Sequence, residues 1–318
     1  MKAIVLKQTG GTGNLGIKNI PDPVINDHEV LVRNHAAAIN PVDAFVSNNE
    51  GALKGILQPE DGADIIPGWD IAGEVTAVGR KVTQFKPGDA VFGMVNFPGH
   101  GKAYAQYVAA PENQLALKPA GTSYEAAAAA SLAALTAWQS LVTYGNIKKG
   151  DKVLIHAAAG GVGHYAVQIA KHFGAYVIGT SSAAKREAVL GFGADEHIDY
   201  NSQAFEQVVT DADIVLDSLG IPGHLDRSLA AVKNGGRVIS LLVFFSDEQK
   251  QQAAAKNVYT HRLSVVSNGD DMKSIAALLE QGQLHSDVSQ VYAFEEIDKA
   301  HQQVSSGKTQ GKVVVKIP

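Results

Sequence analysis

The stretch Lys152-Val153-Leu154-Ile155-His156-Ala157-Ala158-Ala159-Gly160-Gly161-Val162-Gly163-His164-Tyr165 decides the fold. Lys152 to His156 is a short apolar run that predicts a strand, and a helix pattern follows from Tyr165 to Lys171. A strand that turns over glycines into a helix presents free backbone N–H groups at the helix N-terminus, where the helix dipole favours an anion. A dinucleotide pyrophosphate also needs close approach to the backbone, which a Cβ would block. Gly160 and Gly163 fill the second and third small positions of such a turn, with Gly161 and Val162 between them and Ala158 in the first. A glycine-rich turn alone is a weak signal; the flanking strand and helix favour a dinucleotide site over a tight turn that binds nothing.

Outward from this turn, the apolar runs Tyr176-Val177-Ile178, Ile214-Val215-Leu216 and Val238-Ile239 are separated by helix-length segments. Strands alternating with helices predict a parallel, doubly wound sheet, placed at 123–266. Ser123 is an N-cap candidate for a helix through the alanine run to Tyr144. Upstream the chain reads as β-rich, with short runs at Ala3 to Lys7, Glu29 to Arg33, Ile71 to Val78 and Ala90 to Val95. The turn Pro87-Gly88-Asp89 feeds the last of these. Asn48 to Ile65 is a polar, glycine-rich stretch, a loop or short helix. Helix-like patterns at Met272 to Gln281 and Ile297 to Val304 precede a final strand, Lys312 to Ile317.

The chain has 318 residues, 45% hydrophobic and 19% charged, which favours two domains over one core or disorder. A net charge of −5 gives no general attraction to nucleic acid or an anionic membrane. Cysteine is absent, which removes disulfides, thiolate metal sites and cysteine nucleophiles, and fits a reducing compartment. The N-terminus runs into a strand pattern rather than a signal peptide, and no window approaches the roughly 20 apolar residues of a membrane span. A cytoplasmic location is the expectation.

Coenzyme choice is read about 20 residues beyond the glycine turn, where NAD enzymes place a carboxylate on the ribose. Here Gly179-Thr180-Ser181-Ser182 precedes Lys185-Arg186. Hydroxyls at Thr180 and Ser181 and the charge of Lys185 suit a 2′-phosphate, so NADPH is the expected cofactor. Lys185 and Arg186 also read as a solvated helix face.

Scattered segments then resemble one family. They are Asn40-Pro41-Val42-Asp43, Pro67-Gly68-Trp69-Asp70-Ile71-Ala72-Gly73, Phe85-Lys86-Pro87-Gly88-Asp89-Ala90-Val91, the Gly160 loop, Asp217-Ser218-Leu219-Gly220 and Gly311-Lys312-Val313-Val314. Together they resemble the zinc-free, quinone-reductase-like branch of the medium-chain dehydrogenase/reductase superfamily, in family order along nearly the whole chain. The resemblance implies a GroES-like catalytic domain from 1–122 and 267–318, a Rossmann domain at 123–266, and a cleft between them for nicotinamide and substrate. It also suggests a homodimer.

Zinc-dependent relatives carry Cys where this chain has Asn40 and His where it has Trp69. Asp70 alone is not a zinc site, and His28, His35 and His100 lack motif spacing, so no metal is expected. Without a Lewis acid, reduction of an already polarised acceptor remains, with a quinone or an activated alkene or carbonyl as substrate. The family's tyrosine near the nicotinamide is Phe45 here, so a phenolic donor is missing from that place. Alternatives are an enoyl or alkenal double-bond reductase and a non-catalytic NADPH-binding protein.

Asn40 is the first candidate for a donor to the developing oxyanion; it also reads as a turn residue bonding its own backbone. Thr136 resembles the family threonine by the nicotinamide, and equally a helix-face hydroxyl. Phe45 and Trp69 are pocket candidates, with core packing open for Trp69. Ser218, Gly220 and Ser240 match positions of later cofactor loops, and Tyr200 is placed near the adenosine phosphate or simply half-buried. His164 reads as an exposed first-turn residue, Asp43 as a loop brace, and Lys308 and Lys312 as strand-flanking charges.

Overall fold

Six strands follow one another from residue 152 to 262: β1 (Lys152–Ile155), β2 (Tyr176–Ser181), β3 (Glu196–Asp199), β4 (Ala212–Asp217), β5 (Val232–Ser240) and β6 (Tyr259–Arg262). All their pairings are parallel, in the spatial order β3-β2-β1-β4-β5-β6. The order reverses between β1 and β4, and at such a switch point the loops after the strands diverge to leave room for a ligand. Apolar runs such as Val153-Leu154-Ile155 suit strands covered on both faces. On one face, Leu154, Ile178, Val215 and Val238 pack with Phe205, Leu225 and Leu229. Full burial of each such side chain is worth about 1.5–3 kcal/mol.

The computed structural model describes residues 1–318, apart from the side chain of Thr12. The chain divides into two units, Met1–Leu135 with Val266–Pro318, and Thr136–Val265. The division falls inside the helix Leu132–Trp138, so residues 123–135 pack with the β-rich unit rather than with the parallel sheet.

The β-rich unit is built from both chain ends. Its main sheet runs Val288–Tyr292, Lys312–Lys316, Glu29–Ile39, Asp70–Val78, Ala90–Met94, Ala116–Leu117, with Tyr107–Pro111 also pairing to Glu29–Ile39. Lys2–Leu6 and Leu15–Asn19 form a separate antiparallel pair. The pairing of Lys312–Lys316 against Glu29–Ile39 is antiparallel, with Val313 opposite Ile39. That register carries Lys312 to Asn40.

The expected helix from Ser123 to Tyr144 is broken. Ser123 does cap it, its Oγ accepting from Ala126 N–H at 3.1 Å. The first segment stops at Ala129, a second runs Leu132–Trp138, and a π-helical turn Gln139–Tyr144 follows. Alanine propensity cannot show the cause: the Leu132 N–H, at a helix start, donates to Asp70 Oδ1 at 2.7 Å. The 48–65 stretch holds a short helical turn, Glu50–Ala52, continued by Leu53–Leu57. Among the described residues, no helix is long and apolar enough to cross a membrane.

Candidate functional site

In the β-rich unit, four buried side chains meet where Glu29–Ile39 ends. Asn40 opens the helix Pro41–Asn48, and its backbone N–H donates to Asp43 Oδ2 at 2.7 Å. Its amide Nδ2 donates to Asp70 Oδ2 at 2.8 Å, and its Oδ1 accepts a hydrogen bond from Lys312 Nζ. Lys312 also donates to the Ile39 carbonyl at 3.2 Å. Only 3% of Lys312 is exposed, so it is not the strand-flanking charge that the sequence suggests. A buried lysine is stable only when paired, and Asp70 and Asp43 supply the negative charge.

Burial, aided by the negative charge of Asp70, pushes the Asp43 carboxyl up to about 7. Burial raises Asp70 to about 6, against the pull of Lys312 and Asn40. Burial likewise lowers Lys312, while the two carboxylates resist that shift. Asp43 Oδ1 has no hydrogen-bond partner. The Tyr104 phenol, 3.2 Å from His301 Nε2, is raised by burial, by the charges of Asp43 and Asp70 and by a hydrogen-bonding approach to the Asp43 carboxylate. This set does not fit a catalytic zinc: a lysine ammonium already balances the carboxylates, and neither imidazole nor thiolate takes part.

Asn40 is therefore more constrained than a free donor. Its carbonyl oxygen and one amide hydrogen are committed, which leaves the second amide hydrogen. Phe45, on the same helix, is 54% exposed and available to a ligand. Trp69 is corrected from pocket to core: it is fully buried, donates from Nε1 to the Gly99 carbonyl at 2.7 Å and meets Phe97 edge-on.

In the parallel-sheet unit, the turn after β1 is tightly wound. Ala157 takes the left-handed region at φ 49°, and Gly160 N–H donates to its carbonyl at 2.8 Å. A Cβ on Gly163 would overlap that same Ala157 carbonyl, so only glycine fits. The helix Gly163–His172 starts there; the His164 N–H is taken by the Gly160 carbonyl at 3.1 Å, and Gly160, Gly161 and Val162 keep partial exposure. These features fit a dinucleotide pyrophosphate. His164 is buried rather than exposed; its Nδ1 donates to the Gly160 carbonyl at 2.9 Å and braces the turn from below.

The coenzyme-selecting segment needs a second correction. Thr180 and Ser181 are 2% and 3% exposed, and their hydroxyls bond to His156 Nδ1 at 3.1 Å and His197 Nε2 at 2.8 Å. Ser182 and Lys185 are the partly open groups there, and Tyr200 is 57% exposed beside Ser181, whose carbonyl its N–H meets at 3.2 Å. Asp199 lies in register with Ser181, but its carboxylate is tied into its own turn by Asn201 and Ser202. Ser218 donates to the His156 carbonyl at 3.1 Å, and Gly220 follows in the same loop. Ser240 is fully buried and donates to Val243 O at 2.7 Å, which makes it a loop brace rather than a cofactor contact. Thr136, 6% exposed, lies on the helix Leu132–Trp138.

The comparisons agree with this architecture. The family model for an alcohol dehydrogenase GroES-like domain matches residues 26–120, and the zinc-binding dehydrogenase model matches 192–315. A 2-methylene-furan-3-one reductase of Solanum lycopersicum is 34% identical over 306 residues, covering 93% of this chain and 74% of the relative. An NADPH-dependent alkenal/one oxidoreductase, chloroplastic, of Arabidopsis thaliana is 34% identical over 325 residues, covering 99% and 79%. The solved quinone oxidoreductase of Coxiella burnetii superimposes with a TM-score of 0.91 at 31% identity, covering 100% of this chain and 99% of that one.

Proposed function

Because the chain belongs to the medium-chain dehydrogenase/reductase superfamily, in its quinone-oxidoreductase-like branch, we propose that it is a zinc-independent, NADPH-dependent oxidoreductase acting on a quinone or an activated alkene or carbonyl. The observation that carries the zinc-independent reading is the buried Lys312 ammonium, hydrogen-bonded to Asn40 and interacting with the charges of Asp70 and Asp43. A bound nicotinamide would supply the hydride. The glycine turn would hold the coenzyme's pyrophosphate on the N–H groups at Gly163, and Ser182 and Lys185 would meet the 2′-phosphate.

Hydride addition to an electron-poor acceptor places negative charge on its oxygen, and a donor fixed in advance lowers that barrier most. Asn40 is fixed in this way, its amide oriented by Lys312 on the oxygen and Asp70 on the nitrogen. Lys312 also polarises the amide, which strengthens the remaining N–H as a donor. Thr136 would contact the nicotinamide side of the reaction and Phe45 the acceptor. Solvent supplies the final proton. A second reading, double-bond reduction of alkenals or enones, is favoured by the likeness to the furanone reductase and the alkenal/one oxidoreductase.

The test follows coenzyme oxidation with quinones, alkenals and enoyl thioesters in parallel, with NADPH and with NADH. NADPH should be preferred, and one acceptor class should dominate kcat/KM. A clear preference for NADH would refute the assignment of Ser182 and Lys185, and no turnover with either coenzyme would refute the enzyme reading. Asn40→Ala should lower kcat by about 100-fold, the size seen when one oxyanion donor is removed, with NADPH affinity unchanged.

A further inference from the structure

A second buried polar group lies beneath the loops of the parallel-sheet unit, and the proposed mechanism does not use it. Thr180 is next to last in β2, His156 follows β1, Asp217 ends β4, and His224 and Ser228 sit one turn apart on the helix His224–Ala231. None of the five is more than 6% exposed. His224 Nδ1 and Ser228 Oγ both approach Asp217 Oδ2, at 2.7 and 2.8 Å. Ser228 Oγ is 3.3 Å from His156 Nε2, and His156 Nδ1 is 3.1 Å from Thr180 Oγ1. Asp217 Oδ1 accepts from Leu219 N–H at 3.0 Å.

The direction of each bond follows by elimination. An ionised carboxylate only accepts, so Ser228 must spend its one hydrogen on Asp217. Ser228 Oγ is then the acceptor for His156, whose Nε2 must carry hydrogen. Burial pushes His156 down to about 3, so the ring is neutral and Nδ1 is bare. Thr180 donates to that nitrogen. The chain thus runs Thr180 to His156 to Ser228 to Asp217, with His224 donating from the far side.

His156 is the hub in its main chain too. Its N–H donates to Leu216 O on β4 at 3.1 Å, and its carbonyl accepts from Ser218 Oγ. Three strands whose ends carry the coenzyme loops therefore meet on one residue. We propose that this chain is a positioning device for the dinucleotide site, with His156 as hub, holding the ends of β1, β2 and β4 in the arrangement that binds coenzyme. The role rests on the nucleotide-binding reading above. Loops held in advance spare the ordering cost that binding would otherwise carry.

The same groups raise a rival. Ligand atoms of His156, Asp217 and His224 lie within 4.8 Å of one another, near enough for a metal. Zinc would need a bare imidazole nitrogen toward Asp217 from each histidine, where the hydrogen bonds place N–H.

The test combines nitrogen-15 NMR of histidine-labelled protein with coenzyme binding to variants. His156 should appear as the Nε2–H tautomer. Thr180→Val, which keeps shape and removes one donor, should raise Kd and KM for NADPH about tenfold and leave kcat at saturation. His156→Leu should do at least as much, and His156→Gln, which can donate and accept, should recover most of the affinity. An Nδ1–H tautomer, or wild-type Kd in Thr180→Val, would overturn the proposal. So would stoichiometric zinc, added as the metal alone and lost in His224→Ala. Failure of the wild type to bind either coenzyme would instead overturn the functional reading, and the tautomer measurement separates the two outcomes.

Discussion

The molecule buries aspartates in two places, and their acidities move in opposite directions. Asp43 and Asp70, in the β-rich unit, are raised to about 7 and about 6. In the parallel-sheet unit Asp217 is held below the usual carboxylate range, although burial alone would raise it. None of the three has exposed surface, though Asp217 lies less deep than the other two. Depth contributes, and donors decide the sign. Asp217 receives His224, Ser228 and the Leu219 N–H, whereas Asp43 keeps one oxygen without a partner and faces a second carboxylate. Desolvation raises a carboxyl until enough hydrogen bonds to the charged form outweigh it. One group is a closed network suited to holding shape, and the other keeps charge in reserve beside the proposed chemistry.

The strongest way to break this contrast is Lys312→Met. If the ammonium balances the two carboxylates, its removal strands them, and losing one partner of a buried ionic group costs about 3–5 kcal/mol. Urea unfolding should show the loss as a lower midpoint at pH 8, where both carboxyls are ionised in the wild type. The loss should be smaller at pH 5, where both are largely protonated. A variant as stable as the wild type at pH 8 would mean that Lys312 does not neutralise the cluster.

Asp217→Asn sharpens the other half. The amide can turn its oxygen toward His224 and Ser228 or toward the Leu219 N–H but not toward both sides, so about 1–3 kcal/mol should be lost at neutral pH. The folded pKa of Asp217 is depressed, so its contribution is present above its ordinary value near 3.8 and is lost as pH falls through the folded value. The wild type should therefore lose stability on acidification below about pH 4 more steeply than Asp217→Asn. Parallel acid limbs would place no folding linkage on this residue.

How much of this was legible depends on how far apart the partners lie in the chain. The glycine turn could be read because its demands are local: Gly163 answers a carbonyl six residues earlier, at Ala157, and strand and helix flank it directly. Lys312 could not be read, since only the antiparallel register places it on Asn40, 272 residues away. Trp69 illustrates a subtler limit. Pocket and core demand the same aromatic, and only the Gly99 carbonyl 30 residues on shows which applies. The hydroxyls of Thr180 and Ser181 suit a phosphate in composition, but His156, just past β1, and His197, on β3, claim them first. The broken alanine helix has the same cause, a carboxylate from 62 residues away taking the Leu132 N–H. The order of secondary elements was plain, and the wiring of the site was not.

The smallest effect expected is also the most specific to the reserve-charge reading. Asp43 binds its proton more tightly folded than unfolded, because its pKa rises from 3.8 to about 7. Between those values the folded state holds more protons, so stability falls as pH rises, and the penalty is complete above about 7. Asn at this position keeps an oxygen to accept from the Asn40 N–H and cannot ionise. Near pH 5 the wild-type carboxyl is already neutral, so Asp43→Asn should unfold at almost the wild-type urea midpoint. At pH 8 the variant should be the more stable of the two, because only the wild type then carries the ionised group in a site with one unpartnered oxygen. Midpoints that keep a constant separation from pH 5 to pH 8 would show that Asp43 is already ionised at the lower pH. It would then behave as Asp217 does, and the contrast between the two regions would disappear.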